Sequence, residues 1–186
     1  MDVYRAVRAS LARVAAKHPD FRIVHISIQR THIHALCEAA NKVALARGLQ
    51  GFQISAAKAL NRMIAKRTKQ RHTGTVFSDR YHVESITSVG QTRNALAYVL
   101  NNWRRHDEDR GRVGLFNGRV DPFSSGTAFA GWQSAIATWE WPTDYEPPPV
   151  CRPQCWLLAE GWKRAKPINA LEIPGPRPRP GSTRAE

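Results

Sequence analysis

Two short stretches carry residues able to do chemistry together. In Thr31-His32-Ile33-His34, strand alternation would set both imidazoles on one face, with Ile33 and Ala35 on the other and Leu36 further along the histidine face. Two imidazoles one pleat apart can converge on one cation, although a strand can also show two histidines to solvent for no such reason. Further along, Tyr98 and Asn102 are four apart, so on a helix they stack on one face, and Asn94 precedes Tyr98 by the same interval. Taken alone, that tyrosine reads more readily as an anchor between helix and sheet, with Asn102 near a C-cap. Taken together, the groups describe a mechanism. Two imidazoles and an amide oxygen would hold a metal with positions left open for phosphate oxygens, polarising a scissile phosphate and stabilising a leaving 3′ oxygen. The phenol would attack phosphorus and form a covalent 5′-phosphotyrosine, storing the bond so that rejoining needs no ATP.

The flanking sequence predicts the elements that must position these groups. Residues 3–17 place Val3, Val7, Leu11 and Val14 near helical spacing among basic residues, an amphipathic helix. Residues 21–29 (FRIVHISIQ) and 32–38 (HIHALCE) read as two short strands joined by a tight turn at Gln29-Arg30-Thr31, a hairpin. A long helix follows over 42–69, with Gly48 and Gly51 marking a break or a close approach. Its second half puts Ile54, Ala57, Leu60 and Ile64 on one face and Lys58, Arg62, Lys66, Arg67 and Lys69 around it. Residues 72–87 have strand character, and 90–106 read as the helix carrying Tyr98, with Asp107-Glu108-Asp109 beyond its end. His25 reads as a structural histidine. The order helix, strand, strand, helix, strand, helix suits an α+β layer in which helices cover one face of an antiparallel sheet.

Past Gly111 the composition turns to Gly, Pro, Ser and Trp, which divides the chain into a domain over 1–112 and an extension over 113–186. The extension is expected to pack in part, through Trp132, Trp139, Trp141, Trp156 and Trp162, and to be disordered over 173–186. Charge divides the same way. The 186 residues carry a net +13, and residues 1–112 hold 20 Lys and Arg against 8 Asp and Glu, leaving 8 against 7 for the rest. A polyanionic partner therefore belongs to the first part. Lys58, Arg62, Lys66, Arg80, Arg104 and Arg105 are the candidates to touch phosphate. Arg104 and Arg105 equally suit a helix C-terminus, where the dipole favours cations, and Arg80 could equally brace the fold. No apolar run is long enough to span a membrane, and no signal peptide is legible. Cys37, Cys151 and Cys155 are an odd number without a disulfide framework, and Cys151 with Cys155 lacks the second pair a zinc site needs; a reducing cytoplasm, close to the nucleoid, fits.

These residues resemble the single-tyrosine HUH transposases of bacterial insertion sequences, in the branch related to REP-associated tyrosine transposases. THIH (31–34) is similar to the family's histidine–hydrophobic–histidine segment, RGLQGFQISAAKALNR (47–62) to the helix after it, GTVFSDRYH (74–82) to the segment before the last strand, and ALAYVLNNWRRH (95–106) to the tyrosine helix. Parts of SSGTAFAGW (124–132) and CWLLAEGW (155–162) look like tail segments of the same branch. The resemblance implies a ferredoxin-like HUH nuclease fold with Tyr98 as nucleophile, His32, His34 and Asn102 as ligands to Mg²⁺ or Mn²⁺, and hairpin-bearing single-stranded DNA as substrate for cleavage and strand transfer. Family members begin with a strand of the central sheet, whereas this sequence starts almost at the first helix, so the sheet is expected to lack that strand. A decayed or domesticated relative that grips hairpin DNA without cutting is the alternative. The family includes dimers that exchange tyrosine helices and members that act as monomers, which leaves a homodimer open. A ferredoxin-like RNA-binding domain would need exposed aromatics on its central strands, and only Phe21 is offered.

Overall fold

The computed structural model describes residues 2–77, 81–109, 119–134, 136 and 143–175. Their elements run in the order α1 (Asp2–Lys17), β1 (Phe21–Ile28), β2 (Ile33–Ala39), α2 (Lys42–Thr68), α3 (Val89–Asp109) and a one-turn α4 (Trp156–Ala159). The chain is α+β, built around the antiparallel hairpin of β1 and β2.

Helix α1 buries Tyr4, Val7, Leu11 and Val14, a 3–4–3 stripe along one side. Val3, read with that stripe, is exposed, and Tyr4 takes its place. Helix α2 starts on Asn41, whose side chain accepts from the Ala44 N–H at 2.9 Å. It stops where Lys69 adopts the left-handed conformation at φ 54°. Gly48 and Gly51 do not break it. They mark close approaches instead, because a Cβ at Gly48 would overlap the Phe21 ring and one at Gly51 would meet His18. The buried side of α2 is Gly48, Phe52, Ala56 and Ala59, not the stripe through Ile54, which is exposed. A helix of 27 residues is roughly 40 Å long, while a seven-residue strand is roughly 23 Å. Joined to β2 by a short turn and packed back along it, α2 therefore carries its basic C-terminal third past the hairpin tip.

The hairpin separates two apolar clusters. Val7, Leu11 and Val14 of α1, Phe52 and Ala56 of α2, and Phe21, Ile23, Ile26 and Ile28 of β1 form one. Leu36 of β2, Leu96, Ala97 and Val99 of α3, and Leu158, Trp162 and Ile168 form the other. Val24 alternates with Ile23 into this second cluster, and a bulge between Ile23 and His25 then returns Ile26 and Ile28 to the first. The expectation of helices on one face is thus corrected: α1 and α2 cover one side, and α3 with the C-terminal segment covers the other. The strand expected over 72–87 does not form among the described residues there, which are mostly exposed coil with Phe77 and Ile86 dipping toward the two clusters. β-propensity is realised only against a partner strand, and β1 gives its second edge to other residues.

That edge is met by residues from far along the chain. The Ile28 N–H donates to the Phe123 carbonyl at 3.0 Å, and the Cys151 N–H donates to the Ile23 carbonyl at 2.8 Å. The Ser125 hydroxyl accepts from the Ile26 N–H at 3.1 Å. Where a further strand would run, three short contacts satisfy the ladder groups instead. His25 lies under this cover against Ser125 and Phe129, and burial pushes its pKa down to about 4, as suits a structural histidine.

The C-terminal segment is also held by charge. Arg93 donates to the Lys166 carbonyl at 2.9 Å and the Pro167 carbonyl at 2.7 Å and pairs with Glu172. Asn101 donates to the Asn169 carbonyl at 2.9 Å. Trp162 is buried and Trp132 partly so, whereas Trp156 is exposed beneath Arg164; Trp139 and Trp141 lie outside the described residues. Of the tail expected to be disordered, Pro174 is placed, and residues 176–186 lie outside the described residues.

Glu38 fixes the other end. Its carboxylate accepts from the Gln154 N–H at 2.9 Å and the Cys155 N–H at 3.0 Å, just ahead of α4, with Arg22 alongside at 3.4 Å. Desolvation raises its pKa, but these hydrogen bonds outweigh it and hold the carboxyl below its ordinary value. The folded state therefore gains stability from Glu38 that is fully present above the ordinary value of 4.5 and is lost as pH falls through the lower folded value. Glu38→Gln is expected to cost about 1–3 kcal/mol at neutral pH. It should also flatten the acid limb of stability below roughly pH 4.5, as denaturant titrations across that range would show.

Candidate active site

The hairpin tip and α3 bring together the four residues read as a site. Gln29 N–H donates to the His32 carbonyl at 2.9 Å, closing a turn around Arg30 and Thr31, and His34 pairs with Ser27 across the strands. Alternation then turns His32 and His34 toward the face covered by α3, with ring centroids 4.6 Å apart and planes at 72°. From α3, Tyr98 sets its ring edge-on to His34 at 4.9 Å and 80°. One turn on, the Asn102 carboxamide reaches His32 Nε2 at 3.4 Å. Asn94, Tyr98 and Asn102 form a graded stripe, exposed, half-buried and buried in turn, so α3 descends from solvent into the protein along its polar face. Opposite that stripe Leu96, Val99 and Leu100 are buried, which fixes the helix's rotation and hence where the phenol points.

The polar contacts of His32 accommodate a tautomer suited to holding a cation. Thr31 Oγ1 lies 3.0 Å from Nδ1, so a hydrogen on Nδ1 can be donated to the hydroxyl while Nε2 keeps its lone pair toward Asn102. Among the described residues no third His, Cys, Asp or Glu joins the pair. Asn102, 1 % exposed and already at His32, is the available third donor, its oxygen reached by turning the amide over. Two nitrogens and one amide oxygen fit a divalent ion that accepts both kinds of donor. Such a set suits Mn²⁺ better than Mg²⁺, which prefers oxygen throughout.

The basic candidates divide. Lys58, Arg62 and Lys66 are exposed along α2 and enter no ion pair among the described residues. Arg104 instead donates to the Ala170 and Arg119 carbonyls, both at 2.6 Å, and lies over the Trp103 ring. Arg105 reaches the Pro174 carbonyl at 3.3 Å. Both are engaged in holding the C-terminal segment. Arg80 lies outside the described residues. The two remote cysteines, Cys151 and Cys155, are free thiols, as is Cys37, whose pKa burial pushes up to about 12.

Sequence reasoning passed over Glu38, Arg93, Asp121 and Ser125, which tie the hairpin and α3 to the C-terminal segment. None is flagged by periodicity or spacing, because each acts on residues roughly a hundred positions away. A family profile described as "Transposase IS200 like" matches residues 2–102, a span running from α1 through Asn102. The chain belongs to this family. The matched span holds the histidine pair and the tyrosine helix of the transposase, whereas the segment that covers the β1 edge lies outside it. No curated protein and no solved structure gives a match. DNA is accordingly the partner class of this transposase, and among the described residues no helix is long and apolar enough to cross a membrane.

Proposed function

We propose that this transposase cleaves single-stranded DNA and transfers the cut strand through a covalent bond to Tyr98. The observation that supports the reading most is convergence: His34 lies 4.9 Å from Tyr98 and His32 3.4 Å from Asn102, although the two pairs come from elements about sixty residues apart. His32 Nε2, His34 and the Asn102 oxygen would hold a divalent cation, Mn²⁺ or Mg²⁺. When bound, that ion supplies positive charge beside the scissile phosphate and the leaving oxygen. Tyr98 Oη attacks phosphorus and gives up its proton to water, the bond from phosphorus to the 3′ oxygen breaks, and that oxygen takes a proton from water and leaves as a hydroxyl. The other strand stays attached through a 5′-phosphotyrosine. Attack by a 3′ hydroxyl on that linkage regenerates the phenol and joins the new strand. The packing of Leu96, Val99 and Leu100 keeps the ring in place, so little is lost in orienting the nucleophile.

The exposed cations of α2, carried past the hairpin tip, would hold the backbone of the substrate, which we take to be single-stranded DNA with small hairpins. Reversing Lys58, Arg62 and Lys66 together to Glu is expected to weaken oligonucleotide binding by about 10²-fold or more at 100 mM salt and to lessen the salt dependence. Fluorescence anisotropy over a salt series would read both. The reaction itself is tested by incubating the protein with Mn²⁺ and labelled single-stranded oligonucleotides from the flanks of its own gene. A labelled band surviving denaturation supports transfer through tyrosine; hairpin binding without any band would favour a transposase relative that grips DNA and does not cut.

A further inference from the structure

We infer that Asp121 is a positioning residue for the histidine pair, acting through Ser27 and Gln29; the inference rests on the reading of His32 and His34 as metal ligands. Asp121 comes from the C-terminal segment and is 3 % exposed. Its Oδ1 accepts from the Phe123 N–H at 2.8 Å, which closes a local turn. Its Oδ2 reaches into the hairpin, accepting from Gln29 Nε2 at 2.8 Å and from the Ser27 hydroxyl at 3.3 Å. Gln29 Nε2 also donates to Ser27 Oγ at 2.6 Å, so the three side chains form a closed triangle.

Each of the two hairpin residues in that triangle faces one of the histidines. Ser27 pairs with His34, and Gln29 closes the turn on His32. Side chains of directly opposed residues share a face, so the triangle abuts the histidine pair from the neighbouring strand. Beyond it the tip is exposed at Arg30 and Thr31, at the end of a sheet of two strands. A two-stranded hairpin is weakly determined by itself. The Phe123 carbonyl on the Ile28 N–H and the Asp121 carboxylate on Ser27 and Gln29 fix that end from outside. Without them the tip can twist, and the two imidazoles lose the separation that a single ion requires.

The carboxylate, not mere bulk, makes the contact, which gives a clean substitution. Asp121→Asn keeps the shape and an oxygen for one partner, but sets an NH₂ against a donor at the other. Gln29→Glu added to it reverses donor and acceptor and restores one negative charge. Mn²⁺ binding is read by the loss of the free-ion EPR signal, beside thermal melting followed by circular dichroism. Asp121→Asn and Gln29→Ala are each expected to raise the half-saturating Mn²⁺ concentration by about tenfold. The pair Asp121→Asn/Gln29→Ala should be no worse than either alone, and Asp121→Asn/Gln29→Glu should recover to within about threefold of wild type. A purely structural role would lower the melting temperature and leave Mn²⁺ affinity of the folded protein unchanged. That result, or failure of the reversed pair to restore affinity, overturns the inference while the histidine site stands. Wild type binding Mn²⁺ no better than His34→Ala would instead remove the metal reading, and this inference with it.

Discussion

A Tyr98→Phe variant is expected to bind its oligonucleotide as wild type does and to form no covalent adduct. The substitution removes one oxygen and leaves the ring, so the edge contact with His34 and the packing of Leu96, Val99 and Leu100 persist. Tyr98 is only half-buried, and loss of its hydroxyl should change stability by less than about 1 kcal/mol. Cleavage should fall by roughly 10⁴-fold or more, since removing a nucleophile removes the pathway and not merely one favourable contact. A denaturing gel beside an anisotropy titration measures both halves of the expectation. An adduct that persists in Tyr98→Phe would assign the nucleophile to another residue.

His34→Ala should be nearly as damaging, by a different route. It removes a proposed metal ligand and also the ring against which Tyr98 rests, so cleavage should drop about 10³-fold at any practical Mn²⁺ concentration. His32→Ala removes the partner of Asn102 and should behave alike. DNA affinity should stay within about threefold in both, because the proposed backbone contacts lie on α2 and not on the histidines. Asn102→Ala separates from them: with two imidazoles left, excess metal should restore part of the rate, and the titration midpoint moves upward. Cleavage by either histidine variant at the wild-type rate would take the metal away from this pair. Loss of DNA binding alongside cleavage would show that the hairpin tip, not α2, grips the strand.

The residues that meet at the site were legible because local chemistry declares them. H-x-H in a strand and Tyr-x3-Asn in a helix fix relative direction through backbone geometry alone, and the hairpin and three long helices follow from apolar spacing. What was not legible depends on distant partners. The strand character of 72–87 is real as propensity, yet no neighbouring strand realises it in the described residues. Ile54 fits a helical stripe, but α2 is rotated by the need to set Gly48 against Phe21, which no count of hydrophobic residues discloses. Arg104 and Arg105 had two local readings, dipole and phosphate, and the structure shows both holding carbonyls of residues 170 and 174. The bulge between Ile23 and His25 returns Ile26 and Ile28 to the side of Phe21 and Ile23, where strict alternation along FRIVHISIQ would misplace them.

The edge contacts of β1 have a consequence for synthesis. Ile26 waits for Ser125, Glu38 for Gln154 and Arg93 for Glu172, each well over seventy residues later. Contacts at such separations form late, after the entropy of closing long loops has been met. A nascent chain that has made both the histidine pair and the tyrosine helix therefore still has an open strand edge and an uncovered apolar face on α3. Translation halted soon after Asn102 would leave Ser125, Gln154 and Glu172 unmade, and such a chain is expected to expose that edge and face to proteolysis or aggregation.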